Sequence, residues 1–217
     1  MGGIVVARPF RAPESGDHRM RPTPLYAHEP LWIAVYGGSF LAFMMVEFWV
    51  FSRERRGAKG TSRDKGSLQF IMLAMGIGLW TALGLPYAIS APLPFEEEPT
   101  FWTAIGVLWA GILFRFWSIV TLGRFFRISV LLQEDHRLIT TGPYRFIRNP
   151  SYTGGILIIT GVALAQGNYW SLLSAIGGTL IAYAWRVRVE EAALREHFGE
   201  AYAAYARRTW SILPPIW

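Results

Sequence analysis

The sequence predicts an all-α fold, an integral membrane bundle of about five spanning helices with a C-terminal cytoplasmic part. Three observations carry this. The 217 residues are 52% hydrophobic and 17% charged, against about 25% charged in an average soluble domain. The apolar residues are contiguous, in runs close to the roughly 20 residues that cross a bilayer. Lys and Arg gather in alternate loops, as expected where basic loops stay in the cytoplasm.

Residues 1–29 are rich in Pro and Gly with little periodicity, and are expected to form a flexible tail. The short "GIVVA" in it is too brief for the apolar core of a signal peptide, so no leader is expected. The first span is "LWIAVYGGSFLAFMMVEFWVF", Leu31 to Phe51. The second is "LQFIMLAMGIGLWTALGLPYAI", Leu68 to Ile89, and the third "FWTAIGVLWAGILFRFWSIVTL", Phe101 to Leu122. Two shorter runs follow, Tyr152 to Ala165 and Trp170 to Trp185, separated by "QGNY". That spacing predicts a tight helical hairpin, with Gly167 and Asn168 ending one helix and starting the next.

The loop 52–67 holds six Lys or Arg, whereas 90–100 holds none and three Glu. Basic residues return in 123–150 and after Arg186. The loops 52–67, 123–150 and 186–217 are therefore expected on the cytoplasmic side, in a bacterial inner membrane or the endoplasmic reticulum. The resulting organisation is a tail over 1–29, three spanning helices over 30–122, and a region over 123–217 with a helical hairpin and a C-terminal amphipathic helix.

Several chemistries are disfavoured. The chain has no Cys, so no disulfide, thiolate nucleophile or iron–sulfur site is available. His18, His28, His136 and His197 share no metal-ligand spacing, and no metal is expected. The Gly-x-Gly of "MGIGLW" lies inside a span and follows no strand, which fits close helix packing and not dinucleotide binding. The basic pI near 9.9 sits beside spans, which points to anionic lipid headgroups and not to nucleic acid.

Charge inside the spans is more telling. Glu47 suits either an interfacial position or a functional one, and Arg115, deeper, either pairs between helices or lines a site. The segment "LLQEDHRLITTGPYRFIRNPSY", 131–152, carries two breakers, Gly142-Pro143 and Asn149-Pro150, and reads as a structured loop leading into the fourth span. The segment 185–208 reads as helical with a break at Gly199. Arg186 and Glu190 are four apart and share a helix face there. Spacing alone allows a surface ion pair or half of a site.

Taken together, "HRLITTGPYRFIRNPSYTG" and, some way downstream, "EEAALREHFGEAYAAYARR" resemble the isoprenylcysteine carboxyl methyltransferase family, whose relatives include membrane phospholipid methyltransferases. That family's pattern is a Gly-Pro-Tyr turn, Arg-His-Pro-x-Tyr-x-Gly, a helical hairpin, Glu-Glu-x-x-Leu and Phe-Gly-x-x-Tyr-x-x-Tyr. The match covers residues 124–217 and departs at Asn149, where the family usually has His. Asn hydrogen-bonds but does not titrate near neutrality.

The resemblance implies S-adenosylmethionine as cofactor, held by Gln133, His136, Arg137, Leu138, Ile139, Tyr144, Asn149, Pro150, Ser151, Tyr152 and Glu190. It implies Arg186 facing the methyl acceptor, with Arg186 and Glu190 as the catalytic pair. The expected acceptor is the carboxylate of a prenylated cysteine or a similar lipophilic molecule, arriving laterally from the bilayer between spans. Two alternatives stand beside it: a phospholipid amine or small-thiol methyltransferase of the same fold, and a non-enzymic membrane scaffold or transporter subunit. Gly154, Gly155 and Gly161 are expected to let helices approach closely.

Overall fold

A computed structural model describes residues 23–55, 61–62, 67–126, 131–132 and 137–214. The expectations placed on the first 22 residues, on Gln133 and His136, and on the C-terminal Trp217 lie outside the described residues. Among the described residues, six α-helices make the fold: α1 (Pro30–Arg55), α2 (Ser67–Ala88), α3 (Glu97–Leu122), α4 (Pro150–Leu164), α5 (Tyr169–Phe198) and α6 (Glu200–Ala206). Among the described residues, the strand content is one antiparallel pair, Thr61–Ser62 with Leu131–Leu132.

The helices turn apolar side chains outward. Phe48 on α1, Trp80 on α2, Leu113 on α3 and Ile181 on α5 are all exposed, which suits hydrocarbon and would be costly as one continuous surface in water. Among the described residues, Pro30–Ser52 and Glu97–Leu122 have the length and hydropathy to cross a bilayer, while Met72–Ala88 and Pro150–Leu164 are shorter apolar stretches. The fifth expected span is part of a longer element. α5 runs for 30 residues without interruption, roughly 45 Å at 1.5 Å per residue. It thus carries the apolar Trp170–Trp185 run and the polar Arg186–Phe198 run on one rod. Gly199, at φ 54°, ends it, and α6 follows in a new direction.

Glycines set the closest contacts. A Cβ on Gly161 would lie 2.6 Å from the Leu108 backbone N, and one on Gly111 would lie 2.6 Å from that of Ile158. The α3 and α4 backbones touch at both points, so packing there depends on the missing side chains. Around this seam Leu108, Ile112, Ile158 and Val162 are buried, flanked by Phe40 and Phe43 of α1 and Leu79 and Leu83 of α2. α2 meets α5 at Gly78 and Gly178 more loosely, where an added Cβ would come no nearer than 3.4 Å to the facing helix.

The α4–α5 hairpin forms as its sequence predicts. Gly167 takes a positive φ of 66°, and the Asn168 side chain accepts from the backbone N–H groups of Trp170 and Ser171, capping α5. Its amide also donates to the Ile89 carbonyl at 2.8 Å, tying the turn to the end of α2.

Candidate active site

At the end of the bundle opposite this hairpin, three polar clusters surround the start of α4 and the middle of α5. Each begins from a local feature of the chain. Asn149-Pro150 stops the preceding loop and starts α4, with Pro150 in its first turn, where no intrahelical N–H is required. Ser151, Tyr152 and Thr153 then point in three successive directions around the first helical turn.

The first cluster is Tyr152, Glu190 and Arg186. The Tyr152 hydroxyl donates to Glu190 Oε1 at 2.7 Å. Arg186 Nε donates to the same oxygen at 2.8 Å and lies 3.3 Å from the Tyr152 hydroxyl. The i, i+4 pair read from the sequence is therefore an ion pair, with Arg186 1% exposed and the Glu190 side chain 21% exposed. Arg186 sits deeper than expected for a guanidinium that meets an arriving acceptor, and its Nε is directed at Glu190. The Tyr152 ring packs against Tyr183, with centroids 4.6 Å apart. A Cβ on Gly155 would lie 2.3 Å from the Tyr183 hydroxyl oxygen, so only glycine leaves room for that ring.

The second cluster is structural in geometry. Glu191, one residue beyond Glu190, turns about 100° around the helix and faces away from the first cluster's partners. Its Oε1 accepts from Arg148 Nε at 3.1 Å, Asn149 Nδ2 at 3.1 Å and Ser211 Oγ at 2.9 Å. Arg148 also donates to the carbonyls of Ala206 and Thr209. The backbone continues the seam: Arg148 N–H donates to the Trp210 carbonyl at 2.7 Å and Asn149 N–H to that of Ser211 at 3.0 Å. Thr153 Oγ1 reaches the Ile212 carbonyl at 2.6 Å. The chain after α6 is thus bonded along the start of α4, a contact that sequence reasoning missed. The Glu-Glu repeat was its only sequence signal, because pairing between residues 148–153 and 209–212 is non-local.

The third cluster lies inside the bundle. Arg115 Nε and Nη2 donate to the two carboxylate oxygens of Glu47 at 2.6 and 3.0 Å. Its Nη1 donates to Ser151 Oγ at 2.7 Å and to the Ser151 carbonyl at 3.2 Å. Of the two sequence readings for Arg115, interhelical pairing describes these contacts.

The other predicted site residues are distributed around these clusters. Tyr144 is buried in the short 3-10 turn Gly142–Arg145, and its carbonyl accepts from the Tyr205 hydroxyl at 2.7 Å. Burial, then the neighbouring Tyr205 and Glu190, hold the Tyr144 phenol above its usual range. Asn149 is buried, with its amide turned to Glu191 and Ser211. Pro150 is buried. Arg137 is exposed, and Leu138 and Ile139 are half-buried in a run with neither helix nor strand. Tyr152, Glu190 and Arg186 are thus in mutual contact, Ser151 joins the Arg115 cluster, and Asn149 joins the Glu191 cluster. Among the described residues, no group of three or more His, Asp or Glu is arranged to hold a metal ion.

Comparison with known proteins bears on this region. A family model described as phospholipid methyltransferase matches residues 99–201, from the start of α3 to the start of α6. The chain is 32% identical over 137 residues to a probable protein-S-isoprenylcysteine O-methyltransferase of Oryza sativa subsp. indica, covering 59% of this chain and 70% of the relative. It is 34% identical over 109 residues to protein-S-isoprenylcysteine O-methyltransferase B of Arabidopsis thaliana, covering 48% and 54% respectively. The fold is similar to that of a eukaryotic intramembrane Ras methyltransferase, isoprenylcysteine carboxyl methyltransferase, at a TM-score of 0.61 over 88% of this chain and 70% of that one, with 18% identity. With sequence and fold in agreement over the helices that carry Tyr152, Arg186 and Glu190, the chain belongs to the isoprenylcysteine carboxyl methyltransferase family.

Proposed function

We propose that this chain is a membrane-embedded, S-adenosylmethionine-dependent methyltransferase that O-methylates the carboxylate of a prenylated cysteine or a similar lipophilic acceptor. The observation that carries the reading is the Tyr152–Glu190–Arg186 cluster, where a partly exposed carboxylate lies beside the tilted Tyr152–Tyr183 ring pair at the polar end of an apolar bundle.

The chemistry of these groups fits the cofactor. A carboxylate complements its ammonium, and aromatic faces attract a sulfonium. In this reading the region 123–217 is the cofactor-binding part. Glu190 and Tyr152 would hold the amino-acid end, with Tyr144, Ser151, Asn149, Pro150 and the run Arg137, Leu138 and Ile139 forming the surrounding wall. Gln133 and His136 complete the proposed set on grounds of resemblance.

The bound cofactor supplies an electrophilic methyl group. The chain's own work is positioning and exclusion of water. An acceptor carboxylate, with a reference pKa of about 3.3–3.7 for an α-carboxyl, is already ionised at neutral pH. No general base is then required, which is compatible with Asn149 in place of the family's usual His. Arg186 would fix Glu190 through Nε and supply the positive field that draws the acceptor carboxylate.

The phospholipid family model favours a second acceptor, a lipid amine. An amine is served by an acidic neighbour and gains nothing from the buried Arg186 cation. Radiolabelled methyl transfer separates the two: label in a prenylcysteine analogue supports the proposal, and label only in lipid extract refutes it. Titration with S-adenosylhomocysteine tests cofactor binding directly, and failure to bind would favour a scaffold. The polar end is proposed to face the cytoplasm, with anionic lipids against its basic flanks. A cytoplasmic reporter fused after Trp217 should be active, and activity of a reporter specific to the opposite side would overturn this.

A further inference from the structure

We propose that Arg115 and Glu47 form a positioning clamp that acts on the methyl-transfer site through Ser151 and Tyr152. The proposal rests on the methyltransferase reading and adds two residues outside the Tyr152–Glu190–Arg186 cluster.

The Arg115 guanidinium bonds in two directions. Nε and Nη2 engage both oxygens of Glu47, and Nη1 engages both Ser151 oxygen atoms. With Nε, Nη1 and Nη2 all engaged, the planar group cannot rotate without breaking bonds. Glu47 lies on α1, Arg115 on α3 and Ser151 on α4, so one side chain joins three helices.

The α4 backbone is held close to it. A Cβ on Gly154 would lie 2.7 Å from Arg115 Cβ and 2.8 Å from Arg115 N. No side chain intervenes to absorb a shift between the two helices. The next residue after Ser151 is Tyr152, whose hydroxyl meets Glu190 at 2.7 Å. A change at Arg115 therefore reaches the Tyr152–Glu190–Arg186 cluster through one peptide unit.

The choice of residue types points the same way. Charged groups within a spanning helix are costly, and buried ion pairs contribute less to stability than well-packed apolar groups. Helix packing between α1, α3 and α4 already has apolar contacts at Phe43, Ile112 and Ile158. Directional bonds are what apolar residues cannot supply. The clamp fixes the height and rotation of the first turn of α4, where Tyr152 must meet Glu190.

The test uses the full chain in lipid nanodiscs. Arg115→Lys keeps the charge but cannot reach Glu47 and Ser151 with three nitrogens. It should lower turnover of a prenylcysteine analogue about tenfold, with the melting temperature within about 3 °C of the parent. Repeated in a Tyr152→Phe background, the same change should cost less than about twofold, because its route to the site is already cut. Equal losses in both backgrounds would overturn the proposal, as would a fall in melting temperature that accounts for the lost activity.

A second measurement does not depend on turnover. With 3-fluorotyrosine in place of Tyr152, the fluorine resonance should shift in Arg115→Lys and in Glu47→Gln. It should stay in place in Ser118→Ala, a buried α3 hydroxyl bonded within its own helix. An unmoved resonance in the first two variants overturns the clamp even if the enzyme is active. If the parent transfers no methyl group, the methyltransferase reading fails and the resonance still decides the clamp.

Discussion

Glu190→Gln removes one negative charge and leaves side-chain volume almost unchanged. In the folded chain, Glu190 Oε1 accepts from Tyr152 at 2.7 Å and from Arg186 Nε at 2.8 Å. A Gln oxygen can accept both bonds, but the Tyr152 bond loses its charge assistance and the Arg186 bond loses its ion pairing. Bonds to charged groups contribute about 1.5–3 kcal/mol, against about 0.5–1.5 kcal/mol for neutral ones. The Glu190 side chain retains 21% exposure, so screening reduces the loss, and the folded state should weaken by about 1–2 kcal/mol. Cofactor binding should suffer more. Losing the anion that meets an ammonium should cost about 2–3 kcal/mol, or roughly 30- to 150-fold in the dissociation constant of S-adenosylhomocysteine. The assay is calorimetric titration of both proteins below their melting temperatures, paired with thermal unfolding. Glu191→Gln provides the contrast. Glu191 holds Arg148, Asn149 and Ser211, so this change should lower the melting temperature and leave affinity nearly intact. An affinity for Glu190→Gln within about twofold of the parent would refute the reasoning and leave Glu190 a structural partner of Tyr152 and Arg186 with no part in cofactor binding.

Arg186→Lys keeps a cation but loses the planar fork, and should reduce kcat/KM for a prenylcysteine analogue at saturating cofactor by at least about tenfold, or 1.4 kcal/mol; parity with the parent in acceptor kinetics would remove the carboxylate assignment's main physical support. Asn149→His introduces an imidazole where the Asn149 amide donates to Glu191 at 3.1 Å. If that position only orients the wall, turnover should change by less than about fivefold; a large gain with a new inflection near pH 6.5 in the rate profile would instead show that a titrating group had been missing. Gly161→Ala places a Cβ 2.6 Å from the Leu108 backbone N and should cost about 1–3 kcal/mol by forcing α3 and α4 apart. Gly106→Ala, with nothing within 4 Å of the added Cβ, should leave the melting temperature nearly unchanged or raise it, and equal melting curves for both variants would contradict the seam.

The sequence alone determined the properties that depend on neighbours along the chain. Apolar runs placed α1 to α4, because burying a helical backbone in hydrocarbon requires an unbroken stretch of apolar side chains. Gly167 and Asn168 placed the hairpin, and Gly199 the end of α5, because φ above zero and side-chain capping are local demands. The four-residue spacing of Arg186 and Glu190 put them on one helix face, and they form an ion pair. Only the tertiary structure decided which of two adjacent carboxylates faces which partners. Glu190 meets Tyr152 from α4, whereas Glu191 meets Ser211 from beyond α6. It likewise decided that Asn149 turns to Glu191, that Arg115 finds Glu47 sixty-eight positions away, and that residues 209–212 bond alongside 148–153. Each of these contacts joins segments far apart in the chain, and its partner is chosen by how α3, α4 and α5 pack together. No local propensity or periodicity encodes that choice, which follows from glycine-to-backbone contact between helices and from the need to satisfy buried charge.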